Sequence, residues 1–130
     1  MPKSTDSIMS NKDASVKFLQ LVVAGKTREA YSSFVSRDMR HHNIAFAGDA
    51  ESLERAMRED NSLFPQKVLE VKHVIEDGSL VAVHSHIRMK SEEPGYATVH
   101  IFRFEDNHIV EMWDIVQVVP ENSPNKNSMF

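Results

Sequence analysis

Cysteine is absent from the 130-residue chain. That removes disulfide staples, thiolate nucleophiles and cysteine-ligated zinc from consideration. No apolar run approaches the roughly 18 residues that a bilayer-spanning helix needs. The opening Met1-Pro2-Lys3-Ser4-Thr5-Asp6-Ser7 lacks the apolar core of a signal peptide. Basic residues do not dominate: 15 Lys and Arg stand against 19 Asp and Glu. Without a basic stripe, a nucleic-acid partner is not expected. Glycine-rich phosphate loops, a dinucleotide fingerprint and a nucleophile elbow are missing as well. Together these absences predict a soluble, cytoplasmic protein that partners neither nucleic acid nor membrane.

What is present suffices for one hydrophobic core. Polar residues 1–12 and 122–130 read as disordered tails around a single domain at 13–121. Asp13 is a plausible N-cap for a first helix whose Val16, Leu19, Val22 and Val23 share a face, stopped by Gly25. Thr27 can cap a second helix carrying Ala30, Tyr31 and Phe34. Periodicity then vanishes around Asp38-Met39-Arg40-His41-His42-Asn43, which reads as an irregular segment or short strand. Asp49 caps a third helix with Leu53, Ala56, Met57, Leu63 and Phe64, and Pro65 forbids extension.

The second half alternates instead. Strands are expected from Val68, from Leu80 to Met89, from Tyr96 to Phe104 and from Ile109 to Val119, with turns at Glu76-Asp77-Gly78 and Asp106-Asn107. Helices segregated before an antiparallel meander predict an α+β fold. The sheet must bend around the helices, which tends to leave a cavity.

The closing strand, Ile109-Val110-Glu111-Met112-Trp113-Asp114-Ile115-Val116-Gln117, holds an aspartate in its middle. Asp suits strand interiors poorly and is expensive to bury without a partner. It is therefore either a hydrogen-bond hub or a tuned acid/base. Alternation places Asp114 with Val110, Met112, Val116 and Val118, and Trp113 with Ile115 and Gln117. His84 and His86 stand together with Leu80, Ala82 and Arg88; His100 stands with Thr98, Phe102 and Phe104. A strand histidine is more often a surface or hydrogen-bonded core residue than a catalyst, and His108, in a turn, reads as solvated.

Metal is the competing use of the histidines. Gly78 followed by five residues and His84-Ser85-His86 opens a cupin-like motif. The match then fails: Glu92 comes one residue late and no second histidine-bearing motif follows. Neither metal nor cofactor is expected.

Several motifs resemble a family. They are His42-Asn43 after the second helix, Val83-His84-Ser85-His86, and Ile101-Phe102-Arg103 before a turn. The fourth is the closing strand followed by Val119-Pro120-Glu121. Across residues 13–121 the chain resembles the SnoaL-like, polyketide cyclase-like branch of the nuclear transport factor 2-like superfamily. Such relatives often carry an acid where His100 stands and a histidine where Met112 stands.

The resemblance implies a cone: three N-terminal helices packed on a curved antiparallel sheet, with an internal pocket. It also implies cofactor-free aldol or proton-transfer chemistry on a carbonyl compound. Asp114 would be the general acid/base, with His84, His86 or His42 polarising the carbonyl. His100, Trp113, Phe102, Met112, Tyr31 and Phe46 would line the substrate site. A homodimer through the convex sheet face is expected. The competing reading is a non-catalytic ligand-binding or dimerisation module of the same fold.

Overall fold

The computed structural model describes residues 9–130. Most of the N-terminal tail expected over 1–12 lies outside the described residues. The elements are α1 (Asn11–Val23), α2 (Thr27–Phe34), β1 (Val35–His41), α3 (Ala50–Leu63), β2 (Val68–Asp77), β3 (Leu80–Arg88), β4 (Tyr96–Glu105) and β5 (His108–Val118). No helix among the described residues is long and apolar enough to cross a membrane.

Local chemistry explains the helix ends. Ser10, rather than Asp13, caps α1: its hydroxyl accepts from the Asp13 amide at 3.0 Å. Asp13 sits instead in the first turn, where the helix dipole favours an acid. The segment then turns at Gly25, with φ +87°, a conformation glycine adopts without strain. Thr27 is the first residue of α2 rather than its cap, and its hydroxyl donates to Glu54 Oε2 at 3.0 Å. Asp49 caps α3 as expected, accepting from the Ser52 amide at 2.9 Å.

The sheet has five strands in the order β1-β5-β4-β3-β2. The expected meander is β2 to β5, all antiparallel. The fifth strand, β1, pairs parallel with β5. It occupies the stretch where the sequence pattern lapsed, because only Val35, Met39 and His41 of this edge strand point inward. Charged Arg37, Asp38 and Arg40 take its solvent side, as edge strands commonly require. Asp106 and Asn107 both have positive φ, the hairpin-turn signature. At Gly95 a Cβ would fall 2.3 Å from the Ile87 carbonyl oxygen, so only glycine fits.

A bulge between Arg103 and Phe104 in the β4–β5 register lets both Ile109 and Met112 reach the core. Val110 therefore leaves the face on which strict alternation places it beside Met112. Helix α1 lies on the inner face, where Phe18 meets Tyr31 and Phe102 edge-to-face at 5.3 and 5.6 Å. Val81, Val83, Phe104 and Leu53 complete this core. Each such side chain contributes roughly 1.5–3 kcal/mol on burial. The three helices and the curved, unclosed sheet form the α+β cone.

Candidate active site

Cross-strand register decides which residues meet, because directly paired residues share a face. Val83 pairs with His100, and His100 pairs with Asp114. These three stand on the inner face, towards the helices. His84 pairs with Val99, and Val99 with Ile115, on the outer face. The same relation puts His86 outside with Ala97.

Asp114 is half-buried and is held by a residue from the other end of the chain. Asn43 Nδ2 donates to Asp114 Oδ2 at 2.9 Å. The loop after β1 aims that amide. Asn43 Oδ1 accepts from the Ala45 amide at 3.0 Å, and the Asn43 amide donates to His41 Nδ1 at 3.2 Å. His41 Nε2 donates in turn to the Ala47 carbonyl at 2.6 Å. His41 is thus a buried clamp that shapes the loop. Asn43 engages one of the two Asp114 oxygens, Oδ2.

His100 lies opposite this carboxylate, and Tyr31 is near enough to feel its charge. Burial pushes the Tyr31 hydroxyl well above its ordinary range, with the Glu54 and Asp114 carboxylates adding to the effect. Tyr31 therefore remains a protonated donor at neutral pH. It also lines a surface cleft of about 640 Å³ between α2 and α3, with Arg28, Glu51 and Glu54. Burial lowers the His100 pKa, and the Asp114 charge offsets part of that shift. His100 is consequently a neutral imidazole, and its Nδ1 is buried without a partner. A carboxylate opposite a neutral imidazole is an arrangement that can exchange protons.

The other expected site residues lie elsewhere. His84 is bonded Nδ1 to Nδ1 with His73 at 3.0 Å, and its ring stacks on Phe130 at 5.7 Å. His86 donates to the Pro94 carbonyl at 2.6 Å and stacks on Phe130 at 4.3 Å. Residues 119–130 contain no helix or strand, yet they return Phe130 to this outer surface. His42 is outside too, stacked on Trp113 at 5.0 Å and bonded to Glu111 Oε2 at 2.7 Å. The structure does not bring His42, His84 or His86 to Asp114; strand alternation separates them by the thickness of the sheet. Trp113 follows Glu111 to the outer face for the same reason. Phe102 and Met112 do face inward but are packed into the core, at 0% and 4% exposure, which leaves no surface for a ligand. Phe46 sits on the loop that carries Asn43 and is exposed.

Glu111 organises the outer face. Its carboxylate accepts from Arg103 at 3.0 and 3.1 Å, from Arg40 at 3.3 Å and from His42. The hydrogen bond to His42, together with the guanidinium groups, holds its pKa below the usual range. No group of three or more metal-ligating side chains is assembled among the described residues.

The sequence model of the SnoaL-like domain matches residues 16–112, which runs from the first helix to the strand carrying Asp114. The chain belongs to the SnoaL-like domain family. No curated protein matches it by sequence. Among solved structures it is similar to IdmH, a candidate polyketide cyclase from Streptomyces antibioticus. The identity is 20%, with 84% of this chain and 93% of that chain covered and a TM-score of 0.67. A loop-truncated IdmH variant gives 19% identity, 83% and 93% coverage and a TM-score of 0.73. A candidate ketosteroid isomerase from Kribbella flavida gives 16% identity, 90% and 84% coverage and a TM-score of 0.68. These likenesses establish the shared fold.

Asn43, the partner of Asp114 in this SnoaL-like domain, is not among the residues singled out from the sequence. It lies in the His42-Asn43 motif, next to a histidine of more evident acid/base chemistry. The usable signal was the chain direction: His42 extends the pairing with β5, its amide donating to the Met112 carbonyl at 3.0 Å. The next side chain must then turn to the opposite face.

Proposed function

We propose that this SnoaL-like protein is a small-molecule enzyme of the proton-transfer or aldol type acting on a carbonyl compound without a cofactor. In this reading Asp114 is the general acid/base. Asn43 fixes one carboxylate oxygen, and the other takes a proton from the carbon next to the carbonyl. The enolate oxygen that develops is met by the neutral donors His100 and Tyr31. These two replace His42, His84 and His86, which face away. The hydrogen bond from Asn43 to Asp114 is the observation that carries the proposal. A buried or half-buried carboxylate needs a partner, and among the described residues this one is held by a neutral amide rather than a guanidinium. A cationic partner would hold the carboxylate as a weak base; an amide orients it without neutralising it.

The test is Asp114→Asn against a set of cyclic ketones. Retained ligand binding with turnover reduced about 10²- to 10⁴-fold supports the proposal. Turnover unchanged in that variant removes it.

A binding or dimerisation role is the second reading. It is favoured by the fully buried inner-face side chains Val81, Val83 and Phe102, which fill much of the space between sheet and helices. Ligand binding with no turnover by the wild type would favour that role. Exposed Ile75 and Ile115 on the outer sheet face support a homodimer through that face. A monomeric mass in sedimentation at high concentration would contradict it.

A further inference from the structure

We infer that the cleft between α2, β1 and α3 seats the bound molecule, and that this molecule is a carbonyl compound carrying a carboxylate, which Arg28 and Arg37 bind. The inference rests on the small-molecule reading above and names the seat and the chemical class of the ligand.

Arginine pairing singles out the cleft. Arg40, Arg55, Arg58, Arg88 and Arg103 each form an ion pair with a carboxylate. The chain's other two arginines, Arg28 and Arg37, form none among the described residues, and both line this opening of about 640 Å³. Both are exposed, so an incoming anion meets them without displacing other side chains. Arg28, Tyr31 and Ser32 fall on one face of α2, at the three- and four-residue spacing of a helix. Strand β1 begins directly after that helix and brings Arg37 to the same opening.

The acids of the cleft are already engaged. Glu54 accepts from Arg58 at 3.0 and 3.1 Å and from Thr27 at 3.0 Å. Arg28 is near enough to favour the Glu54 charge, but Arg58 is the main cause of its lowered pKa. Glu51 pairs with Arg55 at 3.6 Å. Neither Arg55 nor Arg58 lines the cleft, so both acids are offset from outside it. Arg37 also borders a second cleft, of about 590 Å³. There Arg40 and Arg103 are engaged by Glu111 and Glu105, while Asp38 and Asp106 repel an anion.

The floor selects the rest of the ligand. Tyr31, Val35 and Ala50 form it and are 9%, 8% and 7% exposed. An apolar body laid on them loses contact with water. The Tyr31 hydroxyl has no hydrogen-bond partner among the described residues, although a buried tyrosine usually finds one. A carbonyl oxygen supplies that acceptor. Tyr31 also feels the Asp114 charge, so a carbonyl on this hydroxyl is directed towards the base. A guanidinium matches the two oxygens of a carboxylate with paired N–H donors, a match that a ketone oxygen cannot offer.

The experiment measures binding of 1-tetralone and 6-carboxy-1-tetralone by calorimetry at pH 7 and low ionic strength, with the full-length protein. Wild type should prefer the carboxylated ketone by about tenfold. Arg28→Gln and Arg37→Gln should each lower that preference, and the double variant should bring it close to one. Lys90→Gln makes an equal charge change on the loop between β3 and β4, away from the cleft, and should leave the preference as it is. Equal binding of the two ketones by the wild type overturns the inference, as does failure of the carboxylated ketone to bind. An unchanged preference in either arginine variant, or an equal loss in Lys90→Gln, overturns it too. Proton exchange on 1-tetralone by wild type and Asp114→Asn needs no carboxylate and tests the catalytic reading separately.

Discussion

Asn43 and Asp114 are 71 positions apart, and a 2.9 Å hydrogen bond joins them. The loop supplying Asn43 is itself tied down by His41, so the amide reaches the carboxylate already oriented. Asn43→Ala should cost about 1 kcal/mol of stability and lower turnover roughly 10- to 100-fold through misplacement of the base. Urea denaturation and steady-state kinetics on one ketone measure the two effects separately. A loss of stability alone would make the bond purely structural.

His100 sets a pH dependence of folding. Burial lowers its pKa in the folded state from the ordinary 6.5. The unfolded chain therefore binds this proton first as the pH drops. The stability associated with His100 is complete above about 6.5 and is lost as the pH falls towards the lowered folded value. Denaturation midpoints between pH 7 and 5 should decline less steeply for His100→Phe than for wild type. Parallel slopes would show that the ring is solvated.

Glu111 acts in the acid range. Its folded pKa lies below the ordinary 4.5, so its contribution exists above that value and disappears as the pH falls through the folded one. Glu111→Gln should unfold at a lower temperature than wild type at pH 7, and the gap should close as the pH falls below the lowered folded value. A gap of constant size would mean that packing, not charge, holds this residue.

Phe102 separates core from site. Phe102→Ala should destabilise the fold by about 3–5 kcal/mol, because the ring is fully buried against Phe18. A stable variant with altered ligand binding would return Phe102 to the pocket wall.

Much of the architecture was legible because it depends on short-range pattern. Asp49 before α3, the Asp106-Asn107 turn and the alternation of β3 each follow from local chemistry. Edge strand β1 was harder to read, since its inward residues are few and its partner is the far end of the chain. Alternation gave each of Asp114 and His100 a face on its own strand, but not that the two faces coincide. Which side of the sheet holds His84 and His86 was not legible either. Alternation sorts residues into two faces on each strand but does not say which faces of different strands coincide; the pairing of His100 with both Val83 and Asp114 settles that. The bulge that turns Val110 away from Met112 is a further effect of register, invisible in a single strand.

The most direct measurement is deuterium exchange at the carbon next to the carbonyl of 1-tetralone, followed by proton NMR at pH 7 with wild type and Asp114→Asn. Wild type should accelerate the exchange over buffer, and the variant should lose about 10²-fold or more of that acceleration while remaining folded. Equal acceleration by the two proteins would contradict the assignment of Asp114 as the base.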